Sequence, residues 1–304
     1  MDDRPLAARC ACPSHKIAPS ARLAEPARHG RRLALARLMG MGGAMLGLPA
    51  YAAAPLACRA LREEAAGPYT ANGTPPANAF GPLGAKADGR ASNAAVEIPP
   101  EPGLPAGYAP NALALPGIVR SDLRHSVSPG TGTAEGVPLR LTLTLVDASR
   151  GCAALPDHSV YLWHCTREGG YSLYTEEIRQ ENFLRGVQAA NDAGEVTFET
   201  IFPGCHPGRY PHLHVEIYAG TAQPLQTERK LLTSQLALPE DACGAVYGEA
   251  GGYERSLEAY ARTSLARDGI FGKNTAAERA AQTIPLRGNP RDGYVGKLLL
   301  GLLP

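Results

Sequence analysis

Hydrophobic and polar positions alternate with a period of two through the second half of this chain. Leu139, Leu141, Leu143 and Leu145 are separated by Arg140, Thr142 and Thr144, the pattern of a strand with one face on a core. A turn is predicted over 147–151. The apolar, β-branched and aromatic run from Val160 to Cys165 predicts a second strand. A third is predicted where Val196, Phe198, Thr200 and Phe202 alternate after the turn signal Asn191-Asp192-Ala193-Gly194. Leu213, Val215 and Ile217 share one parity, and His212, His214, Glu216 and Tyr218 share the other. A strand there buries its aliphatics and presents both histidines on one face. Later strands are predicted over 231–238 and 294–303, the second introduced by Asp292-Gly293. One helix is predicted over 253–266, with Leu257, Tyr260, Ala261 and Leu265 at helical spacing and Gly269 just beyond its end. Many strands and one C-terminal helix predict an all-β fold, a sandwich or barrel, built as one folded unit without internal repeats.

Between Ala71 and Pro116 the composition shifts to Pro, Gly, Ala and Asn without periodicity, which predicts a long coil or an extended arm of low order. The chain therefore divides into a targeting segment over 1–54, an N-terminal arm and Pro/Gly/Ala-rich coil over 55–130, and a β-sandwich domain over 131–304. In the first part Arg31 and Arg32 precede an apolar, Gly-rich run from Leu38 to Leu48, followed by Pro49 and the small-residue series Ala50-Tyr51-Ala52-Ala53-Ala54. That is the pattern of a cleavable signal peptide. A membrane anchor needs about 20 apolar residues. This run begins after Arg37 and stops at Pro49, so a signal is favoured over an anchor and no stable membrane span is expected. The paired arginines suggest the twin-arginine route, which exports folded proteins to the periplasm or the medium and suits one that takes up a metal beforehand.

A formal net charge of +1 over 304 residues provides no single-sign field, and nucleic acid is excluded as an expected partner. A homo-oligomer is allowed. Five cysteines follow the targeting segment, Cys58, Cys152, Cys165, Cys205 and Cys243. Export permits disulfides among them, but the odd number leaves at least one without an internal partner, and the absence of any CxxC pair argues against a thiolate zinc site.

Candidate chemistry concentrates in one run, Phe202-Pro203-Gly204-Cys205-His206-Pro207-Gly208-Arg209-Tyr210-Pro211-His212-Leu213-His214. Two histidines this close on a strand are either metal ligands or a satisfied surface pair. Three prolines and two glycines impose a fixed loop ahead of them, and that loop carries an arginine and a third histidine.

With Gly67-Pro68-Tyr69, Arg120-Ser121-Asp122, Gly136-Val137-Pro138-Leu139, Trp163-His164-Cys165, Gly170-Tyr171-Ser172, Phe183-Leu184-Arg185-Gly186-Val187-Gln188, Phe202-Pro203-Gly204, Gly208-Arg209 and His212-Leu213-His214 in this order, the chain resembles the intradiol ring-cleavage dioxygenases. The resemblance is to the branch similar to protocatechuate 3,4-dioxygenase and its exported relatives, and it runs from Ala57 to Gly269. It implies a β-sandwich holding one non-haem ferric iron, Fe(3+), and the cleavage of a catechol-type aromatic diol by dioxygen to a muconate-type diacid. Tyr171 matches the family's retained tyrosinate ligand, and His212 and His214 its two histidines. Arg209 matches the arginine that lies against the substrate, and Gln235 is similar to a glutamine behind the ligands. The bland readings are a turn aromatic packed on the sheet for Tyr171 and a solvated strand position for Gln235. Ferric iron is a hard cation that favours anionic oxygen, and a phenol with a pKa of about 10 supplies it only when the metal displaces the proton.

The chain departs from the family at His206, which stands where a second tyrosine ligand is expected. His206 is expected to bind the metal through a ring nitrogen and to serve as a base with a pKa of about 6.5, a neutral ligand in place of an anion. Tyr210, which shares the parity of His212, is an alternative occupant. Two further functions compete with ring cleavage: a non-catalytic exported sandwich that binds metal, an aromatic compound or a partner, and a zinc or copper site built from His206, His212 and His214. Cys165 and Cys205 flank two of the ligand segments, and a disulfide between them would fix the loop bearing His206.

Overall fold

A computed structural model describes residues 58–74, 103–105, 107–221, 225 and 229–303. The chain separates into the units Met1–Ala50 and Tyr51–Pro304, and only the second contains described residues. The targeting segment 1–54 and much of the coil expected over 71–116 lie outside them.

Two sheets account for the predicted strands. In the first, β1 (Pro138–Asp147) pairs antiparallel with β5 (Glu195–Ile201) and with the short β2 (Ala153–Ala154). Along its other edge it runs parallel to β9 (Gly293–Leu302), which pairs antiparallel with β8 (Leu286–Asn289). The second sheet is antiparallel in the order β4 (Arg185–Ala189), β3 (His158–Trp163), β6 (His212–Ala219), β7 (Lys230–Ala237). Leu139, Leu141, Leu143, Leu145, Val196 and Phe198 of the first sheet share one apolar core with Val160, Leu162, Leu213, Val215, Ile217 and Leu236 of the second. The molecule is thus a β-sandwich.

The strand β6 is buried along almost its whole length, not on one face only. Its aliphatics enter the core between the sheets as their parity predicts. The opposite face is covered by a separate cluster in which Tyr69, Ala71, Leu113, Ile118, Tyr171 and Tyr174 pack on Tyr161, Trp163, Val187 and Tyr218. Tyr171 and Tyr174 of that cover come from the loop after β3, and the rest comes from the N-terminal arm. It is laid across both sheets by Leu61 N–H donating to the Gly301 carbonyl at 2.8 Å and Glu64 N–H donating to the Thr233 carbonyl at 2.8 Å. The Ser234 hydroxyl donates to the Arg62 carbonyl at 2.6 Å.

Helices differ from expectation. The single helix expected over 253–266 is only α2 (Glu254–Tyr260), and α1 (Glu240–Glu249) and α3 (Ala276–Gln282) flank it. Past Tyr260 the amides of Arg262 and Thr263 bond to carbonyls three residues back, which tightens the chain into turns. Two glycines in α1 and the alanine-rich surface of α3 hide both from apolar periodicity. The N-terminus of α3 is nonetheless built on a Thr275–Glu278 capping box. The short strands β2, β4 and β8 also lack a sustained alternation.

The disulfide expected between Cys165 and Cys205 is not formed. Both thiols are free and buried, as is that of Cys243, and the bridge present is Cys58–Cys152. The Cys165 thiol donates to the Gly204 carbonyl at 3.4 Å and the Cys205 thiol to the Arg209 carbonyl at 3.3 Å, so each is satisfied by loop backbone. Among the described residues no helix is long and apolar enough to cross a membrane.

Candidate metal centre

The face of β6 turned away from the inter-sheet core carries His212 and His214, both buried. Their Nε2 atoms approach to 2.9 Å, and the Tyr171 hydroxyl lies 3.4 Å from His214 Nε2. Three potential donor atoms therefore converge. The Nδ1 of His212 lies 2.6 Å from the Tyr210 carbonyl, where a proton on Nδ1 leaves the Nε2 lone pair facing the cluster, the arrangement usual for a metal-bound histidine. His214 stacks flat on Trp163, with centroids 4.8 Å apart and planes 6° off parallel. Its Nδ1 is buried without a hydrogen bond among the described residues.

Tyr171 stands on a tight turn: the amides of Tyr174 and Thr175 both donate to its carbonyl, and its own amide donates to the Thr175 hydroxyl at 3.0 Å. Its ring lies against Tyr69 of the arm, centroids 4.4 Å apart. The arm reaches this closely because residue 67 is glycine. A Cβ there would meet His214 Cε1 at 3.4 Å on a backbone with φ of +75°.

The Pro/Gly loop before β6 places the rest. Gly204 is wedged where a Cβ would lie 2.4 Å from both the Arg167 carbonyl oxygen and the Ser256 hydroxyl, so no larger residue fits at the root of the loop. His206 follows, its Nδ1 3.0 Å from the Gly169 carbonyl and its ring edge-on to Tyr69 and Tyr171 at centroid distances of 5.3 and 5.6 Å. Arg209 is buried and held on two sides. Its Nε donates to Asp268 Oδ2 at 2.9 Å and its Nη2 to Asp268 Oδ1 at 3.3 Å and to Gln235 Oε1 at 2.5 Å. Gln235 faces His214 across the β6–β7 ladder and donates to the Ala65 carbonyl at 2.7 Å, so it joins the arginine to the arm and is not a solvated strand position. Tyr210 turns elsewhere. Its hydroxyl donates to the Leu238 carbonyl at 2.9 Å and its ring packs near Phe271, which removes it as a replacement ligand.

Sequence patterning missed Asp268. Besides Arg209 it accepts the amides of Tyr210, Ile270 and Phe271, at 2.7, 2.8 and 3.0 Å. A lone carboxylate in a coil after a helix offers no periodic signal.

Electrostatics favour neutral nitrogen and reluctant phenol. Burial and the neighbouring Arg209 charge hold His212 down to about 3, and burial followed by His212 keeps His214 well below the ordinary histidine value. Both imidazoles are therefore neutral, the form that binds metal. Burial pushes the Tyr171 phenol well above its usual value, Cys165 adds to this, and Arg209 opposes it. Only a cation close to the oxygen would make that phenol ionise at neutral pH. One anionic oxygen and two imidazole nitrogens fit a single hard-to-borderline transition-metal ion. Among the described residues no three His, Cys, Asp or Glu side chains gather as a metal group. The oxygen that converges on the two imidazoles is that of the Tyr171 hydroxyl, 3.4 Å from His214 Nε2.

No family model matches the chain. Its sequence is 27% identical over 107 residues to chlorocatechol 1,2-dioxygenase of Rhodococcus opacus, a match that takes in 29% of this chain and 41% of that protein. The chain thus spans about two fifths of the length of the curated relative it matches. Among solved structures it is similar to an intradiol ring-cleavage dioxygenase from Tetranychus urticae, at 28% identity and a TM-score of 0.49, covering 61% of this chain and 87% of that one. It is also similar to the dioxygenase domain of a carbohydrate-binding fusion protein from Streptomyces sp. SirexAA-E, at 23% identity and a TM-score of 0.36, covering 60% and 88%. The chain resembles the intradiol ring-cleavage dioxygenases.

Proposed function

We propose that this protein is an oxidoreductase that opens the ring of a catechol-type aromatic diol with dioxygen, giving a muconate-type diacid, at a non-haem ferric iron held by Tyr171, His212 and His214. The observation that carries the reading is the convergence of Tyr171 Oη, His212 Nε2 and His214 Nε2 within 3.4 Å steps in a buried cluster beside Arg209. Iron, when bound there, supplies the redox-active centre that brings the diol and dioxygen together.

The chain's own residues supply the rest. Tyr171 contributes the anion that favours the ferric state, and the two neutral imidazoles add no further negative charge. Asp268 and Gln235 occupy Nε and Nη2 of Arg209, leaving Nη1 without a partner among the described residues and the cation fixed where charge develops on a bound diol. His206, edge-on to Tyr171, stands beside the donors as the group that accepts a proton from the diol, in the place of the family's second tyrosine. The paired arginines and the small residues before Pro55 support export by the twin-arginine route.

Visible spectroscopy of iron-loaded protein tests the centre. A tyrosinate-to-iron charge-transfer band that shifts on adding catechol, with dioxygen consumed, is the expected result. Iron-replete but colourless protein removes Tyr171 as a ligand, and tight catechol binding without dioxygen uptake moves the protein to the non-catalytic reading.

A further inference from the structure

We propose that Arg185 is a positioning residue that sets the phenol of Tyr171 and closes the arm segment 64–74 over it, an inference that rests on the reading of Tyr171 as a metal donor. Arg185 opens β4 and is fully buried, yet it forms no ion pair among the described residues. Every bond it makes is to a neutral oxygen. Its Nη1 donates to the Tyr69 carbonyl at 2.8 Å, the Thr70 carbonyl at 3.3 Å and the Tyr161 hydroxyl at 3.3 Å. Its Nη2 donates to the Ser172 carbonyl at 2.9 Å and its Nε to the Ser172 hydroxyl at 3.1 Å. One rigid guanidinium plane therefore ties the arm, on one side, to the residue that follows Tyr171, on the other. The two segments it joins present the stacked rings of Tyr69 and Tyr171. A lysine, a single point charge on a flexible stem, cannot hold both at once.

The backbone around this guanidinium is independently unusual. Five described non-glycine residues have left-handed φ, and three of them adjoin groups in this network: Ala71 follows Thr70, Leu173 follows Ser172, and Leu184 precedes Arg185 itself. Such conformations persist only where the surroundings over-determine them, and they gather at functional sites. Arg185 bonds to the neighbours of two of these residues and is itself the neighbour of the third, while their own backbones are held by the Tyr174 and Tyr108 hydroxyls and by Leu123. A buried cation without a carboxylate is costly on its own, and here the five oxygens and the face of the Tyr174 ring, 5.5 Å from the guanidinium carbon, hold it in one place. The alternative is that Arg185 merely satisfies carbonyls stranded by the arm.

The test compares Arg185→Lys and the milder Ser172→Ala with wild-type full-length protein. In metal-free protein, amide hydrogen exchange over 65–73 and the near-ultraviolet circular dichroism of the Tyr69–Tyr171 stack report arm closure. In iron-loaded protein, iron affinity and the position of the charge-transfer band report the phenolate. The expected result is faster exchange over the arm, iron affinity lowered by about 10- to 100-fold, and a shifted band, with Ser172→Ala moving the same quantities less. A merely structural role lowers thermal stability but leaves the band where it was, and that outcome overturns the proposal, as does unchanged exchange over the arm. If Arg185→Lys does not fold, Ser172→Ala decides in the same terms. Should wild-type protein bind iron without a band that Tyr171→Phe abolishes, the reading of the centre fails, while exchange over the arm in metal-free protein still decides whether Arg185 bridges the two segments.

Discussion

Asp268 holds the centre's arginine although it lies in a coil between helices. Its carboxylate takes Arg209 and three backbone amides, and both side chains of the pair are buried. Replacing it with alanine leaves a buried guanidinium without its anion, for which a loss of about 3–5 kcal/mol is expected in denaturant unfolding. A change near zero would mean that Gln235 alone holds Arg209. Burial raises the Asp268 carboxyl, but the Arg209 charge and the donated N–H groups outweigh it and leave the group below the ordinary aspartate value. A depressed carboxyl adds stability that is present above the unfolded pKa of about 3.9 and is lost as pH falls through the lower folded value. Unfolding midpoints of wild-type protein should therefore drop below about pH 4 more steeply than those of Asp268→Asn. At His206 the prediction concerns chemistry. If this imidazole stands in for a tyrosine, His206→Tyr raises dioxygen uptake with catechol. Equal or lower uptake would show that the loop is adapted to histidine, whose Nδ1 faces the Gly169 carbonyl.

The strand β6 works as an element because its two faces serve different ends. Leu213 enters the core between the sheets, while His212 and His214 on either side of it face the donor cluster. Leu213→Ala should cost about 2–5 kcal/mol in stability yet leave the position of the iron charge-transfer band unchanged. A shifted band would mean that the two faces are not independent. This division was legible in the sequence, because alternation gives parity directly and parity places His212 and His214 together. The share of the cover over the histidine face that Tyr69 and Ala71 contribute was not legible, since these residues lie more than a hundred positions away in a stretch without periodicity, whereas Tyr171 stood in a recognised motif. The same holds for Asp268, and for Arg185, which stood in a recognised motif but whose partners are carbonyls that no pattern of side chains reveals. The helices α1 and α3 escaped for a local reason: glycine and alanine carry little of the hydrophobic contrast that marks a helix face.

At the scale of the whole molecule, the arm that covers the centre is part of the fold only where it is fastened. One fastening is covalent, the Cys58–Cys152 disulfide, which joins the start of the described arm to the turn after β1 across a sequence separation of 94. From there the arm bonds to β9 through Leu61 and to β7 through Arg62 and Glu64 before Tyr69 reaches Tyr171. Closing so long a loop in the unfolded chain removes entropy that in the chain-entropy model corresponds to about 4–5 kcal/mol, with measured losses for native bridges of about 2–5 kcal/mol. The non-covalent bonds of the arm remain when the bridge is cut, so the loss should appear first as stability and only then as function. Cys58→Ser/Cys152→Ser protein is therefore expected to unfold at lower denaturant concentration by an amount in that range, with little change in the charge-transfer band of the protein that remains folded. Hydrogen exchange should quicken most over 59–64, next to the lost bridge, and least over 69–72, where Arg185 takes over the fastening. Uniform quickening along the whole arm would show instead that the disulfide alone keeps the centre covered.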